Sequence, residues 1–147
     1  MEIALVGLVG VLVGHFLTAH FKSKELRSGQ IKALAAFLDS IAASLMEIKT
    51  SLSKDVIPTG AGNKLKKVLK NYRDIIDSAP LDDKTKSAIL FQKQEIERCL
   101  TAGQIEDDIL RGKIIRSARI KKEEVLLDME RAAARLQGQA DVLKVLA

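Results

Sequence analysis

The sequence predicts an all-α fold: an N-terminal single transmembrane helix, then a helical bundle with coiled-coil-like heptad seams and a long C-terminal helix. Three observations lead there. Aromatics make up 3% of the chain and proline occurs twice, which argues against sandwiches and barrels built from aromatic strands and tight turns. Leu and Ile recur at alternating spacings of three and four over long stretches, the period of packed helices. Finally, residues 3–21 carry no charged side chain.

That first run reads IALVGLVGVLVGHFLTAHF, 19 residues, and as a helix it reaches roughly 28 Å, close to the hydrocarbon thickness of a bilayer. It is apolar all round, as a spanning helix should be. No Lys or Arg precedes it, and Ala19, His20 and Phe21 make a poor cleavage site, so a permanent anchor (residues 1–21) is expected and not a cleaved signal peptide. Lys22, Lys24, Arg27 and Lys32 follow at once. Positive flanks stay inside, so the N-terminus is expected outside and the body in the cytoplasm. The basic juxtamembrane segment, residues 22–30, is placed to meet lipid headgroups. A single cysteine agrees with a reducing compartment.

Gly7, Gly10 and Gly14 lie along the run, and Gly10 and Gly14 form GxxxG, which lets two helix backbones approach closely. His15 and His20 are five apart, do not share a helix face and make a poor metal pair.

Residues 31–147 are expected to form the bundle. Ser28-Gly29 punctuates the chain before them. Ile31, Leu34, Leu38, Ile41, Leu45, Ile48 and Leu52 then form an a/d seam, widened by Phe37 and Met46. Residues 55–62 (DVIPTGAG) are the clearest loop, with Asn63 as the next N-cap. A second helix, about residues 64–77, turns Leu65, Val68, Leu69, Tyr72, Ile75 and Ile76 inward. Ala79-Pro80 breaks it, and Asp82 and Asp83 favour a third start. That third helix is expected to use Ala88, Ile89, Phe91, Ile96, Cys99 and Leu100 as core and to stop at Gly103. From residue 104 onward one long helix is expected, since the single mid-segment Gly112 costs only about 1 kcal/mol; two helices hinged there are the alternative. Its second half carries a seam of Leu126, Met129, Ala133, Leu136, Ala140 and Leu143. Two regular stripes and a glycine face predict at least a dimer.

The 24 basic and 19 acidic residues are unevenly spread: residues 22–73 hold 11 bases and 4 acids, a net +7, while residues 74–147 hold 13 bases and 14 acids, a net −1. A uniformly basic nucleic-acid binder would not look like this. Lys64, Lys66, Lys67, Lys70 and Arg73 could contact an anion or an acidic partner. Only Tyr72 accompanies them, so nucleic acid is not the expected ligand.

Catalytic constellations do not emerge. Both histidines lie in the apolar run, away from Cys99, which is expected to be a structural core thiol. The carboxylates are expected to form a solvated surface, and no cofactor or metal is expected. Gly60-Ala61-Gly62-Asn63-Lys64 lacks phosphate-loop spacing. The expected function is therefore non-enzymatic: a cytoplasmic bundle that scaffolds, tethers or modulates a protein partner, with membrane lipid and a second copy as further partners. Two alternatives stand beside it. One is an oligomeric pore-forming or bilayer-perturbing protein. The other, if the topology is reversed, is a coiled-coil bridge that resembles phage spanins.

Overall fold

The computed structural model describes residues 13–58, 60–117, 119 and 121–147, and side chains from residue 25 onward. Among the described residues five helices follow in order: α1 Val13–Ser53, α2 Ala61–Lys70, α3 Tyr72–Asp77, α4 Asp83–Leu110 and α5 Lys122–Leu146. The described residues contain no strand. The all-α bundle is as expected.

The core is organised by the two seams. All seven members of the α1 seam, Ile31 to Leu52, are buried, and so are Met129, Ala133, Leu136, Ala140 and Leu143 of α5. Each fully buried Leu or Ile contributes about 1.5–3 kcal/mol. The seams cover each other within one chain, since α5 packs chiefly on α1. Small side chains at the contact, Ala35 and Ala42 on α1 and Ala132 and Ala133 on α5, are buried and allow close approach. The pair is antiparallel: Lys144 Nζ lies 2.8 Å from Asp39, Lys49 Nζ lies 3.9 Å from Glu130, and Lys122 pairs with Asp55. The stripes thus present nothing for a second copy to cover.

The remaining helices close the bundle. α2 packs on α1 and α4, and α3 packs on α4. Leu65, Leu69, Tyr72 and Ile76 are buried, with Val68 and Ile75 packed at the margin. The Tyr72 ring lies 5.9 Å from Phe37, and its hydroxyl donates to the Ile89 carbonyl oxygen at 2.7 Å. Burial in this apolar setting pushes the phenol well above its ordinary range.

Several boundaries differ from expectation. α1 runs unbroken through Ser28-Gly29: one glycine costs about 1 kcal/mol in a helix interior, too little to end one whose next turns bury a seam. The second helix starts at Ala61, with Gly60 as N-cap at φ 86°, so Asn63 lies inside the first turn. It then breaks at Asn71, giving two short helices. α4 runs straight through Gly103, where an added Cβ would lie 2.8 Å from Met129 Cε, so the missing side chain serves packing and not termination. Phe91 is 61% exposed and Ala88 is also exposed, because the buried stripe of α4 is Ile89, Gln92, Ile96, Cys99, Gly103 and Glu106.

The C-terminal third is two helices, not one. Gly112 adopts φ 74°. Its N–H donates to the Ile109 carbonyl at 3.0 Å, and Lys113 N–H donates to that of Asp108 at 2.9 Å. This glycine-centred cap closes α4. The reversal is required, because α5 can reach the α1 seam only by running back along it.

Candidate functional site

The expected anchor lies largely outside the described residues, Gly7 and Gly10 among them. Its later part, Val13 to Phe21, including Gly14, is helical and continuous with the rest of α1. Among the described residues no helix is long and apolar enough to cross a membrane. Lys22 and Lys24 occupy helical backbone. Arg27 and Lys32 are exposed and line an open cleft of about 760 Å³ with Asp82, Thr85, Leu146 and Ala147. That cleft sits where α1 enters the bundle, beside the start of α4 and the end of α5. Asp82 caps α4 by accepting from Thr85 N–H at 2.8 Å, a bond that holds its carboxyl below the usual range.

The second basic set is only partly gathered. Lys64, Lys66, Lys67 and Lys70 are exposed on α2, and Arg73 is exposed on α3. Among the described residues none of the five is ion-paired. Lys66 and Lys70 share a groove of about 330 Å³ with Lys93, Glu97 and Thr101 of α4. Lys93 therefore joins the cluster from another helix, a meeting that spacing along one chain segment could not show.

The carboxylates depart most from expectation. Glu106 is 1% exposed, and Asp107 is also buried. The Arg116 guanidinium grips Glu106 with both terminal nitrogens, Nη1 at 2.9 Å, and this bond raises the guanidinium pKa further. Arg111 Nε donates to Asp107 Oδ2 at 3.0 Å, while Asp107 Oδ1 has no described partner. Beside Asp107 is a pocket of about 30 Å³ lined also by Gly62 and Lys66, too small for a metabolite. A usable signal existed: positions 89, 92, 96, 99, 103 and 106 alternate by three and four, so Glu106 falls on the seam that ends in Cys99 and Gly103. Cys99 is buried, and desolvation pushes its thiol up to about 11. Among the described residues no group of three or more His, Cys, Asp or Glu could hold a metal.

Compared with known proteins, the chain matches no family model, and no curated protein or solved structure shows significant similarity to it.

Proposed function

We propose that this chain is a non-enzymatic single-span membrane protein. Residues 3–21 anchor it with the N-terminus outside, and the cytoplasmic bundle works by contact, as a scaffold, tether or modulator of a protein partner. The observation that supports this is the continuity of α1. One helix leads out of the uncharged run, through the Lys22, Lys24, Arg27 and Lys32 segment, and into the bundle core. Nine helical residues, 22–30, separate run and bundle, roughly 14 Å of stiff stalk. A stalk of this kind fixes the bundle's distance and direction from the surface, which suits presentation of a docking face. The exposed Lys64, Lys66, Lys67, Lys70 and Arg73 offer an acidic partner such a face.

The test is fractionation with topology. The full-length protein should stay with membranes through a carbonate wash. A C-terminal green fluorescent fusion should fluoresce, and a C-terminal alkaline phosphatase fusion should be inactive. Release by carbonate would sink the anchor, and the reverse fusion pattern would place the body outside.

A further inference from the structure

The loop between α4 and α5 spans residues 111–121 and is tied to the bundle at several points. Its start is fixed by the Gly112 cap, its middle by the Arg116 grip on buried Glu106, and its end by the pair between Lys122 and Asp55. The Arg116 side chain thus turns inward. Two apolar ones before it face water: Ile115 is 95% exposed and Ile114 is 43% exposed. Val56, on the neighbouring loop at this end, is exposed too. Ile114 and Ile115 are adjacent in the chain and both exposed, so they form a small apolar patch beside these tie points.

The charge around the tip is one-sided. Residues 111–122 read RGKIIRSARIKK, six bases and no acid. Arg111, Arg116 and Lys122 are spent on internal partners. Lys113, Arg119 and Lys121 are exposed, and no described acid pairs with them. Two exposed isoleucines with exposed bases near them in the chain make too small a patch for the about 800 Å² per partner of a stable protein interface. It does match an anionic bilayer, where bases meet headgroups and short apolar side chains reach the acyl boundary.

We propose that loop 111–121 docks on an anionic lipid surface through Ile114 and Ile115, with Lys113, Arg119 and Lys121 on the headgroups. The loop lies at the end of the bundle opposite to where α1 enters. The 23 residues from Ile31 to Ser53 hold it roughly 34 Å beyond the stalk. With the proposed anchor, on which this geometry rests, the chain would join two lipid surfaces.

The test uses the full-length protein in donor vesicles of neutral phosphatidylcholine. Acceptor vesicles contain either phosphatidylglycerol or phosphatidylcholine alone, and capture is read by co-flotation. Anionic acceptors should be captured and neutral ones should not, and capture should fall with added salt. Ile115→Asp should reduce capture at least tenfold with an unchanged melting curve, as its side chain touches almost nothing. The double variant Lys113→Glu, Lys121→Glu should do the same, since each base near the surface is worth about a fivefold factor. Val145→Asp, on the 85% exposed Val145 at the other end of the bundle, should capture as wild type does. Equal capture by Ile115→Asp, or no capture by donors that keep their protein through carbonate, overturns the docking tip and leaves the anchor standing; an acidic protein partner then becomes the reading. Loss of the protein from donors overturns the anchor. Flotation of the released protein with anionic vesicles then decides the tip, supported if Ile115→Asp abolishes it and overturned if not.

Discussion

Arg116 and Glu106 are unequal partners, and the inequality has a measurable consequence. Glu106 is buried, whereas the Arg116 side chain is a third exposed. Removing the arginine strands a carboxylate away from water, while neutralising the glutamate leaves an arginine that can turn outward. Arg116→Ala should therefore destabilise the bundle by up to about 3 kcal/mol, and Glu106→Gln by only about 1 kcal/mol. In the double variant much of the loss should return, as chemical denaturation of all three will show. Cys99 makes a second residue-scale case. Burial raises its thiol from an ordinary 9.0 to about 11, so the folded state favours the protonated form. That contribution is fully present below the ordinary value and is lost as pH rises from about 9 to 11. Wild type should lose stability across that window more steeply than Cys99→Ala. Thiol reagents at neutral pH should label the native protein only after denaturant is added.

Two glycines show how differently one residue type acts within helices. Gly29 in α1 has no φ restriction, and nothing lies within 4 Å of a Cβ placed there. Gly29→Ala should thus stabilise the bundle, by up to about 1 kcal/mol. Gly103 sits in α4 against Met129 of α5. The nearest atom is the flexible end of the methionine, so Gly103→Ala gains helix propensity and forces only a small shift, leaving stability within about 1 kcal/mol of wild type. Gly103→Leu must push the helices apart and should cost about 3 kcal/mol or more. Thermal melts of the three variants check the order. Equal losses from both alanine variants would mean that the close approach of α4 to α5 is not as described.

Across the whole molecule, one core holds α1 and α5 together. Leu38 and Leu136 are fully buried, so Leu38→Ala and Leu136→Ala should each cost about 2–5 kcal/mol. Because the seams close within one chain, those losses should not depend on protein concentration. A proposed homo-oligomer then rests on Gly7, Gly10 and Gly14 alone. Light scattering of the detergent-solubilised protein, corrected for detergent, should give at least twice the chain mass, and Gly10→Ile with Gly14→Ile should reduce it to one chain mass. A strict monomer with wild-type glycines would remove the oligomer from the proposal.

Periodicity was sufficient for the helical class, for the α1 seam and for five of the six named α5 positions, Leu126 being only half-buried. Seven of seven positions on α1 could be read from the spacing of Leu and Ile, because a helix that buries one face must repeat its apolar residues near 3.6. The basic residues were likewise visible, since charge is a property of the sequence itself. Breaks around Pro58 and Pro80 were legible too, but helix ends that depend on glycine were not. Gly103 and Gly112 look alike in the chain, yet one is a contact and the other a left-handed cap. The difference lies in what each meets: the Met129 side chain of α5 in one case, the carbonyls at the end of α4 in the other. Nor could spacing show that Arg116 turns inward and Ile115 outward, which Glu106 decides from another element. Local sequence determines which face of a helix is apolar. Only the tertiary structure decides which partner covers that face, and with it where the chain must turn back.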